Sequence, residues 1–205
     1  MTKEDLAASI NQAATIVETF RTSVDSGIPH SIIKNAKGIA ILHVVKGGML
    51  ISARSGSGVV VAKLPNGTWS APSAIHTSGL GIGHQLGVEI TDFVIVLNTD
   101  SALEAFSKGQ NLSLGGNMSV AVGPLGRNAE VAATAKSFAP IYSYSHSKGL
   151  FAGMSIELSS IVEKTSLNSS VYGPGVSAAT ILSGAVPAPD FAAPLYNALN
   201  LAQQG

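Results

Sequence analysis

The sequence predicts an α+β fold: a strongly coiled, mainly antiparallel β-sheet or partly closed barrel, with N-terminal and C-terminal helices packed on it. Three observations predict it. Residues 3–24 carry apolar side chains at helical spacing, residues 39–163 are mostly short apolar or alternating runs, and helical patterns return after residue 165. This order lacks a repeated strand–helix–strand unit, which is typical of α+β rather than α/β proteins.

A single apolar stripe indicates the first helix. Leu6, Ile10, Val17 and Phe20 are separated by close to whole helical turns, so they lie on one face. Two interpretations of this stripe remain open. It packs against the rest of the domain, or it forms an interfacial helix whose apolar side chains insert among lipid headgroups.

We expect the chain to form one domain with three parts: a helical segment at 1–37, a β-rich core at 38–164 and C-terminal helices at 165–205. A helix interrupts the core at 101–108, where a serine and a glutamate three residues later have the spacing of a capping box. The predicted strands are 39–45, 49–53, 59–64, 88–97, 112–122, 130–135, 141–145 and 150–160, and the C-terminal helices are 176–182 and 190–202.

Composition limits the classes of function. Charged residues are 12% of the chain against the usual quarter or so, and the net charge is zero, which argues against coating nucleic acid through bulk positive charge. The absence of cysteine excludes disulfides and thiolate chemistry and favours a cytoplasmic location. No apolar run approaches the roughly 18 residues of a membrane span, so no transmembrane segment is expected.

Enzyme motifs are missing. The glycines of residues 78–87 resemble a dinucleotide-binding loop, but Leu86 occupies the position of the last required glycine. His76, His84, Glu89 and Asp92 lie near this segment, and a divalent-ion site there is conceivable, although hydrogen-bonded histidines and strand-end carboxylates are the favoured interpretation. We therefore expect a protein that is not an enzyme and needs no cofactor.

The basic residues point to a binding surface. Between Ser26 and Val88 the chain has no acid, and its bases there are Lys34, Lys37, Lys46, Arg54 and Lys63. Such a cluster suits a polyphosphate headgroup or an acidic protein surface; the alternative is a strand edge that lysines protect from aggregation. Arg127 and Lys148 lie in predicted turns and would join the surface if those turns are at the same end of the sheet.

An ordered set of motifs from about residue 10 to about residue 200 closely resembles the SYLF-domain family. The motifs are Lys37-Gly, Lys46-Gly-Gly, Ser52-Ala-Arg54-Ser-Gly-Ser-Gly-Val, Asn66-Gly-Thr-Trp-Ser-Ala-Pro-Ser-Ala, Glu89-Ile-Thr-Asp92-Phe-Val, Leu114-Gly-Gly-Asn117, Val122-Gly-Pro-Leu-Gly-Arg127 and Ser147-Lys-Gly-Leu-Phe-Ala-Gly153. The resemblance implies a non-enzymatic module of endocytic and autophagy-linked proteins. It implies binding to phosphoinositide membranes and, in fungal members, to filamentous actin.

The resemblance also implies which residues contact lipid. In that family the amphipathic N-terminal helix and nearby bases have this role, which falls here on Leu6, Ile10, Phe20, Lys34 and Lys37. The leading hypothesis is a cytoplasmic adaptor, peripheral at membranes or cortical actin, that binds anionic phosphoinositide lipids through the basic surface and the first helix. The alternative is a module that binds or bundles actin filaments in endocytosis.

Overall fold

A computed structural model of the chain describes residues 2–23, 27–108, 120–124, 139–153 and 156–204. Helices from both ends of the chain pack on a mainly antiparallel sheet, so the α+β prediction is confirmed. The elements are α1 (Lys3–Thr22), α2 (His30–Asn35), β1 (Gly38–Ala62), β2 (Ser73–Leu97), α3 (Asp100–Ser107), β3 (Val120–Val122), β4 (Ile141–Gly153), β5 (Ile156–Glu163), α4 (Thr165–Tyr172), α5 (Ala178–Leu182), a 3-10 helix (Asp190–Ala192) and α6 (Ala193–Gln204).

Strand β2 is the centre of the sheet. It pairs antiparallel with β1 along nearly its whole length, from Leu97 opposite Gly38 to Ser73 opposite Val60. On its other edge, the second half of β2 pairs with β4 and the first half pairs with β5, both antiparallel. The short β3 is parallel to β4. The described strands form an open sheet and do not close into the barrel that was the other form of the prediction.

The long strands bend back near their midpoints. Ile41 and Gly58 are 17 residues apart in β1, which would separate them by about 55 Å in a straight strand. A Cβ atom at Gly58 would instead collide with the carbonyl oxygen of Ile41. The reversal lies at Leu50, whose φ of 65° is in the left-handed region. The pairing of β1 with β2 also shifts register here, between Met49 and Ile51. We call this bent end the tip and the opposite end, where β1 begins, the base.

The two faces of the sheet bury different clusters. On the outer face, Ile41, Val59 and Val96 pack with α1, α2, α4 and α6. On the inner face, Leu42 and Val60 pack with α3 and α5. Successive side chains of a strand point to opposite faces, which explains the strict alternation between the clusters. The outer face is covered by helices near the base and is bare near the tip.

Helix α1 is docked on the outer face through its apolar stripe. Leu6 and Ile10 are 0% exposed, and Val17 and Phe20 are also buried, in one cluster with residues of α6 and the sheet. The Phe20 ring lies edge-on to the His146 ring of β4. Of the two interpretations of the stripe, the structure thus has the one in which the helix packs against the domain, and insertion into lipid would first require α1 to detach.

The structure corrects several element boundaries. Three short strands were expected within β1, which is continuous. The first half of β2 was not predicted as a strand, because its glycines hide the alternation of apolar residues. Helix α3 begins after Thr99, whose side-chain oxygen accepts from the Ala102 backbone N–H at 3.1 Å, so the cap is Thr99 rather than Ser101. The strand expected at 130–135 lies outside the described residues.

Candidate functional site

The predicted cations divide into separate groups. Lys34, Lys37 and Lys63 lie together at the base, and we call them the base cations. Lys46 and Lys148 lie toward the tip, and Lys46 is nine residues from Lys37, up to about 30 Å along a strand. The sequence interpretation had placed them in one patch; the length of β1 separates them instead. Arg127 lies outside the described residues.

The Lys63 side chain is hydrogen-bonded within the base. Its ammonium group donates to the Lys34 carbonyl oxygen at 3.2 Å and to Gln203 Oε1 at 2.5 Å, and it lies 4.3 Å from the centroid of the Trp69 ring. Burial lowers the pKa of the Lys63 amino group. This side chain joins α2, β1 and α6, so its position fits a structural role better than contact with a ligand.

Lys34 and Lys37 are the exposed members of the base cations. Lys37 Nζ is 3.9 Å from Asp100 Oδ1, and both side chains are more than half exposed, so the attraction between them is weak and screened. The Lys37 backbone is fixed because its carbonyl oxygen accepts from the Lys63 N–H at 2.9 Å. Two exposed ammonium groups therefore project from a rigid part of the fold.

The remaining cations lie on different faces near the tip. Lys148 is exposed on the outer face, opposite Ile90 in the register of β2 and β4. Lys46 is on the inner face, where its register partner is Glu89. The guanidinium carbon of Arg54, also on the inner face, is 5.9 Å from the centroid of the Phe93 ring. The sequence interpretation expected Arg54 to bind phosphate or carboxylate at the surface, but its guanidinium is half-buried against an aromatic ring.

An exposed apolar surface at the tip was missed from the sequence. Ile82 is 74% exposed, and eight other large apolar side chains around it are between 38% and 69% exposed. We call these nine residues the apolar tip: Val45, Met49, Leu50, Ile51, Leu80, Ile82, Leu86, Val88 and Ile90. The signal was present, because Leu80, Ile82, Leu86, Val88 and Ile90 alternate along β2.

A cleft of about 660 Å³ lies on the outer face, between Val45 of the apolar tip and the start of α4. His43 and His76 line it together with the start of α4. His43 Nδ1 is 2.6 Å from Asp92 Oδ1, so the Asp92 carboxylate is engaged by an imidazole. Within the described part of the chain no three His, Asp or Glu side chains gather as metal ligands; the His84 side chain lies outside it. The conceivable ion site thus has no support from these residues.

Comparison with known proteins assigns the chain to a family. Residues 78–202 match the family model Ysc84, described as "Las17-binding protein actin regulator". The chain belongs to the Ysc84 family. This match covers more than half of the 205 residues and agrees with the SYLF resemblance of the sequence, which is thereby confirmed.

Ysc84-family relatives match most of the chain. SH3 domain-containing YSC84-like protein 1 of Rattus norvegicus is 48% identical over 201 residues, which is 96% of this chain and 59% of the relative. LAS seventeen-binding protein 3 of Saccharomyces cerevisiae is 46% identical over 201 residues, 95% of this chain and 44% of the relative. An SH3 domain-containing protein of Schizosaccharomyces pombe is 51% identical over 175 residues, 84% of this chain and 41% of the relative. The chain therefore spans about half the length of these relatives.

The helices of this Ysc84-family domain also bear on its relation to membranes. Among the residues that the structure describes, no helix combines the length and the apolar character that crossing a bilayer requires. The longest, α1, has 20 residues, but its sequence mixes the buried stripe with Lys3, Glu4 and Asp5.

Proposed function

We propose that this chain is a non-enzymatic adaptor module of endocytic actin regulation, and that it binds actin filaments directly. The description of the matching family model as an actin regulator carries this proposal. The name of the Saccharomyces cerevisiae relative adds a Las17-type partner for the longer proteins. Of the two functions expected from the sequence, these names favour the actin alternative over lipid binding as the primary function.

The surface we propose for filament contact is the exposed part of the base cations. Lys34 and Lys37 project from a rigid region, and only Asp100 lies within ion-pair distance of Lys37 among the described residues. An acidic filament surface attracts such lysines, and the attraction weakens as salt screens it. Lys63 supports this surface from inside the base through its bond to the Lys34 carbonyl oxygen.

Cosedimentation of the full chain with actin filaments tests this proposal. We expect Lys34→Glu with Lys37→Glu to weaken filament binding at least fivefold at physiological salt, because two attractive charges become repulsive. Lys148→Glu is the matched control, since it reverses an exposed lysine near the tip. An equal loss in both variants would show a general charge effect, and no filament binding by the unmodified chain would overturn the proposal.

Binding to anionic, phosphoinositide-containing membranes is the second candidate function. The observation that favours it is the apolar tip with Lys148 beside it. Lysines near an anionic membrane contribute about 1 kcal/mol each, so a few are enough for weak, salt-sensitive binding. With both functions, the protein would act in the cytoplasm at the cortical actin layer or at the membrane above it.

The sequence interpretation gave membrane insertion to Leu6, Ile10, Val17 and Phe20, and the packing of α1 makes this costly. Each of these side chains contributes about 1.5–3 kcal/mol through its burial, and detaching the helix would also expose the core beneath it. Contact with lipid would restore the burial free energy of the α1 side chains but not that of the core residues that the helix covers. A surface that is already exposed needs no such rearrangement.

A further inference from the structure

The apolar tip is larger than the apolar surfaces of ordinary monomers. With ordinary side-chain areas, its nine residues expose on the order of 900 Å², whereas the largest patch of a typical monomer is about 300–600 Å². Leu201 on α6 is the only other large apolar side chain that is comparably exposed within the described residues. The exposed apolar side chains are thus concentrated at one end of the molecule, and this end is the bent one.

The described side chains on the outer face at the tip, which leave out those of residues 83–85, are almost all apolar. On β1 from Val45 to Ser55 and on β2 at 78–82 and 86–90 they carry no charge, and only Ser55 and Ser78 have hydroxyl groups. A protein interface carries about one hydrogen bond per 100–200 Å², so a protein partner would need several polar groups here. Hydrocarbon needs none, and the composition of the tip therefore favours lipid.

The backbone of the tip is also suited to lipid. β1 and β2 stay paired up to Met49 opposite Leu86 and again from Ile51 opposite Ile82. Backbone N–H and C=O groups that enter hydrocarbon must be hydrogen-bonded within the protein, and β2 meets this condition on both sides of the reversal, since it pairs with β1 on one edge and with β4 or β5 on the other. The outer edge of β1 and the reversal itself need water or headgroups as partners, so the tip fits the interfacial layer of a bilayer and not its interior.

Charge distinguishes a bilayer from a second copy of the chain. A two-fold contact between tips would place the same rim lysine, Lys148, on both sides of one interface. No acid occurs between Ser26 and Val88, Glu89 lies on the inner face, and the Asp92 carboxylate on the outer face is engaged by His43 Nδ1 at 2.6 Å. The described residues of the tip therefore offer no free carboxylate to meet those lysines. Anionic headgroups supply the missing negative charge.

We infer that the apolar tip is a membrane-docking surface: Ile51, Leu80 and Ile82 enter the apolar boundary of an anionic bilayer while Lys148 meets its headgroups. This inference rests on the second proposed function, membrane binding, and assigns it to the bent end of the sheet instead of to α1. The helices and the base cations then face away from the lipid.

A fluorescent label tests the inference directly, because the chain has no cysteine of its own. An environment-sensitive fluorophore is attached to Ile82→Cys and, as the matched control, to Leu201→Cys, which is an exposed leucine distant from the tip. Each labelled 205-residue chain is mixed with phosphatidylcholine vesicles, with and without phosphatidylserine. We expect a blue shift at position 82 only with the anionic vesicles, and no shift at position 201.

A second set of variants measures the contribution of the surface. Ile51→Thr, Leu80→Thr and Ile82→Thr together should lower partitioning into anionic vesicles at least tenfold, because threonine keeps the strand but removes apolar area. Leu201→Thr should leave partitioning unchanged. Far-UV circular dichroism and the melting temperature confirm that each variant is folded, and actin cosedimentation of each should be unchanged.

Each other outcome is decisive. Vesicle binding without a shift at position 82, or with a shift only at position 201, would overturn the inference, as would the absence of vesicle binding. A shift at position 82 that appears without vesicles and rises with protein concentration would identify a second copy as the occupant and also overturn it. Loss of actin binding alone would count against the filament proposal and leave the tip inference standing.

Discussion

Single polar side chains attach the helices to the sheet, and sequence reasoning did not identify them. The amide of Asn168 on α4 is 0% exposed; its Oδ1 accepts from the Ala74 N–H at 2.8 Å, and its Nδ2 donates to Ser73 Oγ at 3.0 Å. Tyr172 and Tyr196 donate their hydroxyls to the carbonyl oxygens of residues 72 and 70. The partners are 94 to 126 residues away, so no local pattern could predict these bonds.

The Tyr196 hydroxyl should make the stability of the fold sensitive to alkaline pH. Burial raises the pKa of Tyr196 to about 12, while an unfolded tyrosine titrates near 10. A folded-state pKa above the unfolded value means that the contribution is complete below pH 10 and disappears as the pH rises through 12. Tyr196→Phe should lower the free energy of unfolding by about 1 kcal/mol at pH 7.

Urea unfolding at pH 7 and at several values between 10 and 12 measures this effect. The unmodified chain should lose stability across that interval, and Tyr196→Phe should lose less of it. Tyr172 should keep both proteins sensitive to alkaline pH, because burial raises its pKa as well and only the unfolded chain ionises it in this interval. Identical alkaline profiles for the two proteins would mean that Tyr196 is not the group responsible.

At the level of elements, the sequence predicted the type of most segments, helix or strand, better than it predicted the length and continuity of the strands. The stripe of α1 and the apolar runs within β1 were identified, because each is a local periodicity. The continuity of β1 and the first half of β2 were missed. Glycine in a strand usually signals a turn, but here glycines allow the two halves of one strand to touch.

The bend of β1 predicts a strong difference between two glycines of the same strand. In Gly58→Ala the new Cβ would meet the Ile41 carbonyl oxygen, a backbone atom that cannot rotate away, so we expect a loss of about 3 kcal/mol or more. At Gly47 the nearest atoms are 3.9 Å from a Cβ, which is ordinary contact. Gly47→Ala should therefore change stability by no more than about 0.5 kcal/mol.

Urea denaturation followed by circular dichroism compares the two variants under the same conditions. Equal effects of the two alanines would contradict the face-to-face contact of the two halves of β1. An insoluble Gly58→Ala protein beside a soluble Gly47→Ala protein would agree with it, because the collision prevents the inner face from closing.

At the scale of the whole molecule, the two proposed contacts lie at opposite ends. Lys34 and Lys37 project from the base, and the apolar tip lies where the strands reverse. The sequence suggested both kinds of partner but placed them on one patch, because it could not show that β1 separates Lys37 from Lys46. Because the base cations and the apolar tip are far apart, the two proposals together imply that one molecule binds a filament and a bilayer at the same time.

A flotation experiment with vesicles and actin filaments tests this arrangement. Filaments alone remain at the bottom of a density gradient, and we expect the full chain to carry them upward with anionic vesicles because its ends act independently. Lys34→Glu with Lys37→Glu should float without actin, and the triple threonine variant of the tip should bind actin without floating. The lysine variant loses only the filament contact and the threonine variant loses only the membrane contact, so the two failures can be told apart.

The same geometry predicts what happens without vesicles. A monomer with a single filament-binding group decorates filaments but cannot crosslink them, so light scattering of actin should not rise above that of decorated single filaments. Bundling by a protein that is monomeric in ultracentrifugation would demand a second filament site, which the base cations do not provide. Bundling that disappears in the triple threonine variant would instead mean that tips join two copies, and the flotation of actin by vesicles would then fail.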